Sequence, residues 1–213
     1  MEWVKTLICL LSAIMFFAPL KTANAGSGWF IFHERSFKGE IIDAETKEPI
    51  EGAVVVAQYH VNMLGPTGSH STLIDVQEAL TDKKGEFFLP SLTKVINPIS
   101  TGDDTSFLIW KPGYKKEAIW GGYFFAKEPG TVENRRVHAE GGLVLRPVRL
   151  GIVELERLNS IDERRRNIPS LPSWDEFLER QSELLEMINK EEEFLGLQRS
   201  GPFKARNNIL RGK

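Results

Sequence analysis

Apolar and polar residues alternate along several short stretches of the first 150 residues, which is the pattern of half-buried β-strands. Clear examples begin at Phe37 and Phe87, and three consecutive valines at residues 54–56 indicate a strand buried on both faces. Further short strands are predicted at residues 71–80, 107–110 and 143–150. Because turn residues separate these stretches and no helical period interrupts them, the pattern predicts an antiparallel, mainly β domain.

Glycine, proline and aspartate residues mark the turns between the predicted strands. In the segment Thr81-Asp82-Lys83-Lys84-Gly85, Asp82 can accept hydrogen bonds from backbone amides, and Gly85 can adopt the positive φ that closes a hairpin. Residues 62–70 are rich in glycine and include a proline, so we predict a loop there. The polar residues 127–140 are also predicted to form a long exposed loop.

Four short motifs follow one another in this part of the chain. They are Gly39-x-x-x-Asp43, Pro49-Ile50-x-Gly52-Ala53-x-Val55, Thr81-Asp82-x-x-Gly85-x-Phe87-x-Leu89 and Pro112-Gly113-Tyr114. Together they resemble the carboxypeptidase regulatory-like domain, a transthyretin-like (prealbumin-like) module of exported proteins. The resemblance implies a seven-stranded antiparallel β-sandwich over residues 37–150, used for folding, tethering or partner binding and not itself catalytic. The chain departs from the family pattern in residues 60–80 and between Gly122 and Gly142.

A C-terminal amphipathic α-helix is predicted over residues 173–197. Ser173 and Glu176 have the spacing of a capping box, and Gly196 is placed to end the helix. The candidate interface residues on its apolar face are Trp174, Leu178, Leu185 and Ile188. Three arrangements remain open: docking on the sandwich, association with another helix, and contact with a membrane surface. The acidic polar face disfavours the membrane surface.

The first 25 residues have the features of a secretory signal peptide. Lys5 precedes an apolar run at residues 7–20, and Ala23-Asn24-Ala25 matches the small-residue cleavage pattern. The run is shorter than the roughly 20 residues of a membrane span, so cleavage is expected, with an uncleaved anchor as the alternative. We therefore expect export to the periplasm or secretion. Residues 26–36 are predicted to be a tether, residues 151–172 a linker and residues 198–213 a flexible tail.

The charge balance argues against nucleic acid as a partner. Without residues 1–25 the chain has 25 basic and 28 acidic residues, a net charge of −3, whereas phosphate binding needs a concentrated positive surface. Cys9 is the only cysteine and lies in the apolar run, so the mature chain cannot form an internal disulfide. No cofactor is expected, and no integral membrane span after cleavage.

The histidines are scattered and match no zinc-binding spacing. His60, His70 and Asp75 are the best candidates for a metal site, against the simpler alternative of solvated loop histidines. Transthyretin-type hydrolases end in Tyr-Arg-Gly-Ser, but this chain ends Leu-Arg-Gly-Lys. Intradiol dioxygenases bind iron through two tyrosines and two histidines, and here no close histidine pair accompanies the tyrosines. We therefore expect no catalytic or metal-binding residues, and a protein that is not an enzyme.

Aromatic residues are concentrated between positions 110 and 125. In an exported β-sandwich such a group can form a platform for a glycan or a peptide, or it can pack in the core. The candidate partner-binding residues are Trp110, Tyr114, Trp120, Tyr123 and Phe125. The sequence thus predicts an exported, non-catalytic module for protein or glycan binding, or for structural support in the cell envelope. The alternatives are a small-molecule hydrolase or metal-dependent enzyme on the same sandwich, and an oligomeric scaffold assembled through residues 173–197.

Overall fold

The computed structural model of the protein describes residues 30–65, 68–98, 100–139, 142–170 and 175–197. As the sequence predicts, the chain is mainly β, with antiparallel sheets and a C-terminal helix. The strands are β1 (Ile31–Glu34), β2 (Phe37–Asp43), β3 (Val54–Gly65), β4 (Gly68–Leu80), β5 (Glu86–Leu89), β6 (Leu92–Val95), β7 (Ser100–Trp110), β8 (Glu117–Trp120), β9 (Val132–Ala139), β10 (Gly142–Arg149) and β11 (Ile152–Leu155). The helices are α1 (Tyr123–Ala126), α2 (Ile161–Asn167), a 3-10 helix (Asp175–Gln181) and α3 (Ser182–Phe194).

Two sheets contribute side chains to the main hydrophobic core. One has the strand order β11-β2-β5 and the other β4-β3-β7-β8. Strand β11 pairs in parallel with β2, so that Ile152 lies opposite Glu40, and the other pairs in these two sheets are antiparallel. The aromatic centre of this core consists of Phe37, Phe87, Phe107 and Phe125, whose rings meet edge to face with centroids 4.6–5.3 Å apart.

Two glycines of the recognised motifs allow the backbone to pack closely in this core. A Cβ atom on Gly39 would lie 2.6 Å from the carbonyl oxygen of Gly151. Gly85 has a φ of +73°, and a Cβ atom there would lie 2.4 Å from the carbonyl oxygen of Ile41. Both distances are shorter than a Cβ contact can be, so a side chain at either position would push the sheet apart.

Several segments differ from the sequence-based prediction. Residues 62–65 and 68–70 of the predicted loop belong to β3 and β4, which continue as a hairpin until Gly65 pairs with Gly68. Most of the predicted loop at residues 127–140 is strand β9, which pairs with β10. Part of the predicted tether is strand β1, which pairs with β6 and buries Phe32 in the main core.

The segment predicted to be a linker, residues 151–172, is also structured. It contains β11 and then α2, which begins at a capping box between Ser160 and Glu163. Strand β11 extends the main domain beyond residue 150, because Val153 and Leu155 are buried in the main core. The apolar residues of β11 are Ile152, Val153 and Leu155, and so short a run does not by itself indicate a strand.

The C-terminal helix docks on the outer face of the four-stranded sheet, the first of the three predicted arrangements. A second cluster forms there from Val54, Val56, Leu73, Val76, Trp110, Phe177, Leu184 and Ile188. The helix is not continuous, since a 3-10 helix precedes α3, and Gly196 with φ of +64° follows its end as predicted. The predicted signal peptide, Ser173, Trp174 and the predicted tail at 198–213 lie outside the described residues. Within the described ranges, no helix has the length and apolar character needed to span a membrane.

Candidate functional site

The structure separates the five candidate aromatic residues into buried and exposed groups. Trp110 is 2% exposed in the outer cluster, and Phe125 is 1% exposed in the main core. Tyr114 is half-buried, and its hydroxyl donates a hydrogen bond to the Asp43 carboxylate. Burial therefore leaves Trp120 (66% exposed) and Tyr123 (55% exposed) as the candidates whose rings a partner can reach.

Trp120 and Tyr123 belong to different parts of the surface. Trp120 ends β8 opposite Ser106, while its neighbour Ile119 packs against the main core, so alternation turns Trp120 toward the outer face. Tyr123 begins α1 after Gly121 and Gly122. Gly121 has a φ of +93°, and a Cβ atom there would lie 2.2 Å from the Tyr123 ring, so only glycine permits this position of the ring.

Tyr123 borders a cleft of about 310 Å³ between β1, β7 and α1. The lining residues are His33, Glu34, Arg35, Asp103, Asp104, Thr105, Gly121, Gly122, Tyr123 and Ala126. The lining combines three carboxylates, one guanidinium, one imidazole and one phenol, and its volume is near the lower limit of small-molecule sites. The cleft is therefore suited to a small polar ligand.

Glu34 is the most firmly held acid in this cleft. The Thr105 hydroxyl donates a 2.7 Å hydrogen bond to one Glu34 carboxylate oxygen, and the Arg35 amide donates a 3.1 Å bond to the other. The ring of His33, the preceding residue in the sequence, forms a 2.8 Å hydrogen bond with the Thr93 hydroxyl, which fixes the ring against β6. Asp103 and Asp104 are exposed on β7 at the opposite side.

The Tyr123 ring is braced by the β9–β10 hairpin. The Arg135 guanidinium carbon lies 4.2 Å from the ring centroid, within the range of a cation–π contact. Glu133 holds Arg135 by an ion pair of 3.0 Å. One wall of the cleft is thus fixed by a side chain of β9, the strand that follows α1 along the chain, and no spacing rule predicts this contact.

His60, His70 and Asp75 do not come together as a metal site. Asp75 is buried in ion pairs with Arg180 and with Lys94, the latter at 3.3 Å. His60 approaches the Ser71 hydroxyl at 3.4 Å, and burial lowers the pKa of its ring despite the opposing charge of Asp104. His70 is exposed opposite Met63. Across the described ranges, no three His, Cys, Asp or Glu residues are grouped closely enough to hold a metal ion.

A second polar centre, around Asp43, has a structural role. The buried carboxylate accepts hydrogen bonds from the amides of Glu45 and Thr46, both at 2.9 Å, and from the Tyr114 hydroxyl at 3.1 Å. Arg157 Nε donates a further bond at 2.5 Å. The Thr46 amide and then the Arg157 guanidinium hold the pKa of Asp43 well below its ordinary range. This centre joins β2, the Pro-Gly-Tyr corner and the segment after β11.

The candidate helix-interface residues are used within the chain. Ile188 belongs to the outer cluster, and Leu178 and Leu185 are also buried. Trp174 lies outside the described residues. The start of α3 is held by Glu78 of β4, whose carboxylate accepts the amides of Glu183 at 2.8 Å and Leu184 at 3.2 Å. Sequence analysis missed this cap because Glu78 is far from the helix along the chain.

No protein-family model and no curated protein matches this sequence. Among solved structures, catechol 1,2-dioxygenase from Acinetobacter sp. ADP1 is similar at 15% identity and a TM-score of 0.34, covering 72% of this chain and 59% of that one. The 3-chlorocatechol 1,2-dioxygenase from Rhodococcus opacus 1CP is 15% identical, with a TM-score of 0.31 and 62% of each chain covered. Hydroxyquinol 1,2-dioxygenase from Pseudomonas putida DLL-E4 is 15% identical, with a TM-score of 0.25, covering 70% of this chain and 71% of that one.

These neighbours contradict the expectation that the chain is not an enzyme, because each of them is an enzyme. The chain spans about three fifths of the length of the first two. At TM-scores below 0.5 the likeness identifies neither a site nor a reaction in this chain.

Proposed function

We propose that the protein is an exported ligand-binding protein of the cell envelope, and that the cleft bordered by Tyr123 binds a hydroxyl-rich ligand such as a glycan. The proposed fold is the seven-stranded, prealbumin-like β-sandwich implied by the carboxypeptidase regulatory-like motifs. The three strands and four strands of the two core sheets support it. The expected signal peptide motivates the envelope location.

One observation carries the ligand assignment: the cleft places an exposed aromatic ring, Tyr123, in the same lining as the Glu34 carboxylate, which is fixed by hydrogen bonds. Glycan hydroxyls can donate to the carboxylate of Glu34 and to those of Asp103 and Asp104. The apolar face of a sugar ring can pack on Tyr123, since aromatic rings offer a rigid apolar surface with a polar edge. A polar lining of this kind favours hydroxyl-rich ligands over apolar ones.

Calorimetric titration of the protein with a panel of neutral and basic oligosaccharides tests this proposal. We expect Tyr123→Ala to weaken the binding of the best ligand at least tenfold, and Tyr123→Phe to retain most of the affinity. Phe88→Ala is the matched control, because Phe88 is an exposed aromatic residue (61%) on β5 that does not line this cleft. If no oligosaccharide binds, or if Tyr123→Ala binds as well as the unchanged protein, the glycan assignment is wrong.

A second candidate is an enzyme that acts on a small polar molecule in the same cleft. The observation that favours it is the half-buried Glu34 carboxylate, held by Thr105 in a cleft that the His33 imidazole also lines, because both kinds of group can move protons. Turnover assays with hydrolysable esters and glycosides would test it, with Glu34→Gln as the diagnostic variant. Activity that is unaffected by Glu34→Gln would place the reaction elsewhere. Because Leu178, Leu185 and Ile188 are buried within the chain, we do not propose the oligomeric scaffold.

A further inference from the structure

The β9–β10 hairpin is a two-stranded ribbon that joins neither core sheet. Its register places Val132 opposite Arg149, Arg136 opposite Leu145, and Arg135 opposite Arg146. The sequence predicts only its second strand, at residues 143–150, and the ribbon is among the longest paired segments of the structure. Because the ribbon is long and belongs to neither core sheet, one of its faces can contact another molecule.

The ribbon is positively charged, although the chain as a whole is negative. Residues 132–149 contain four arginines and two glutamates, a net charge of +2, against −2 for the whole chain. Glu133 and the Tyr123 ring compensate Arg135. Arg136, Arg146 and Arg149 are exposed, and none of them has an ion pair or hydrogen bond with the part of the chain that the structure describes. Directly paired residues share a face, so Arg136 and Arg149 lie on one face of the ribbon and Arg146 lies on the other, opposite Arg135.

The two faces of the ribbon have different surroundings. On one face, Arg135 contacts Tyr123 and Val148 packs against the main core, so this face is turned toward the body of the protein. Strand alternation puts the residues of the other face together: Val132, Asn134, Arg136, Leu145, Pro147 and Arg149. All six are exposed, with Leu145 at 69% and Val132 at 58%. The outward face therefore combines uncompensated arginines with exposed aliphatic side chains.

We propose that this outward face of the β9–β10 ribbon binds the surface of an anionic lipid bilayer. The arginines would pair with lipid phosphates, and Leu145 and Val132 would enter the boundary between headgroups and acyl chains. The exposed aliphatic groups favour lipid over a soluble polyanion, because they gain nothing from a fully hydrated partner. The described side chains of this face include no aromatic residue, which disfavours single-stranded nucleic acid and neutral sugars.

Vesicle flotation with the full chain tests the proposal. We expect the protein to float with vesicles of phosphatidylcholine and phosphatidylglycerol, and to remain unbound with vesicles of phosphatidylcholine alone. Binding should weaken as the salt concentration is raised. Arg136→Glu combined with Arg149→Glu should reduce binding at least tenfold, and the same pair changed to Gln should give an intermediate loss. Leu145→Ser should weaken binding several-fold without a change of charge, which a purely ionic contact would not do.

The matched control is Lys83→Glu combined with Lys84→Glu, which changes the net charge equally at an exposed turn remote from the ribbon in sequence. Far-UV circular dichroism verifies that each variant is folded. Equal flotation of the control and ribbon variants would overturn the proposal, as would equal binding to both kinds of vesicle. Binding to heparin without binding to vesicles would also overturn it and identify an acidic glycan as the partner. Because Tyr123 is unchanged in all these variants, the result is independent of the proposed glycan site.

Discussion

Asp43 and Glu78 are both carboxylates that accept two backbone amides, but they lie in different regions and their pKa values move in opposite directions. At Asp43, in the main domain, the Thr46 amide and the Arg157 guanidinium outweigh burial and lower the pKa. At Glu78, under the C-terminal helix, burial outweighs the donated hydrogen bonds, and the neighbouring charge of Glu183 adds to it, so the pKa is raised. The difference shows that accepted amides do not by themselves keep the pKa of a buried carboxylate low; at Asp43 the Thr46 amide and the Arg157 guanidinium together outweigh burial.

The main domain and the helical layer also differ in the contacts that hold them together. The main domain is held by a continuous apolar core and by the Asp43 centre. The helical layer has a smaller apolar cluster and is joined to the sheet by charged contacts: Glu78 at the start of α3, and Asp75 with Arg180. A bidentate pair between Arg164 and Glu191, at 2.6 and 2.7 Å, joins α2 to α3. We therefore expect the helical layer to open more readily than the main domain.

Phe107→Ala should have the largest effect on stability. The ring is 2% exposed and contacts both Phe37 and Phe125, so its removal leaves a cavity in the main core. We expect the free energy of unfolding to fall by about 4 kcal/mol in urea denaturation. Phe88→Ala, at an exposed ring on β5, should change it by less than about 0.5 kcal/mol. Equal losses in the two variants would mean that the core is not where the structure puts it.

Ile188→Ala should act on the helical layer alone. The side chain is 1% exposed in the outer cluster, and its truncation should cost about 3 kcal/mol of the free energy that holds α3 on the sheet. In hydrogen exchange, the amides of α3 should then lose protection, while those of β3 and β7 keep theirs. If all the amides lose protection equally, the two regions unfold as one unit and the contrast between them fails.

Asp43→Asn should lower the free energy of unfolding by about 2 kcal/mol at pH 7, because the ion pair with Arg157 is lost while some hydrogen bonds remain. Since the pKa is lower in the folded state, the stabilisation by Asp43 is present above its ordinary pKa of 3.8 and is lost as the pH falls below it. Urea denaturation between pH 2 and 7 should show a smaller acid destabilisation in the variant than in the unchanged protein. Identical pH profiles would refute this role of Asp43.

Glu78→Gln should have the smallest effect and the opposite pH dependence. Because the pKa of Glu78 is raised in the folded state, its contribution favours folding below the ordinary pKa of 4.5 and is lost as the pH rises through the raised value. Glutamine keeps a carbonyl acceptor for the helix amides without the charge. Protection of the α3 amides should thus fall with rising pH in the unchanged protein and stay nearly constant in the variant. A fall of the same size in both would assign the effect to another group.

The parts of the fold that the sequence predicts well are those determined by local chemistry. The turn at Asp82 and Gly85 is one example: the Asp82 carboxylate accepts the amides of Lys84 and Glu86, and Gly85 has the required positive φ. Strand β2 is another, with bounds that match the alternation from Phe37. In both cases the residues that form the interaction are within a few positions of one another.

The parts that were missed depend on contacts between distant residues or on weak local patterns. The cap of α3 by Glu78 and the bracing of Tyr123 by Arg135 need the tertiary structure, and no spacing rule covers them. One error was avoidable, because Ser160 with Glu163 has the spacing of a capping box. The candidate cleft lies between remote segments, so only its exposed Tyr123 was found.

The parallel pairing of β2 with β11 has a consequence for the order of folding. Strand β2 is near the start of the described chain, but its edge partner, with Val153 and Leu155, comes only after the β9–β10 ribbon. During synthesis, the β2 edge therefore stays unpaired until nearly the whole domain has emerged, and closing so long a segment is slow. An exposed strand edge in that interval favours aggregation. Chains that end before β11 should consequently be poorly soluble, whereas chains that end just after the Asp43–Arg157 contact have all the strands of the main core.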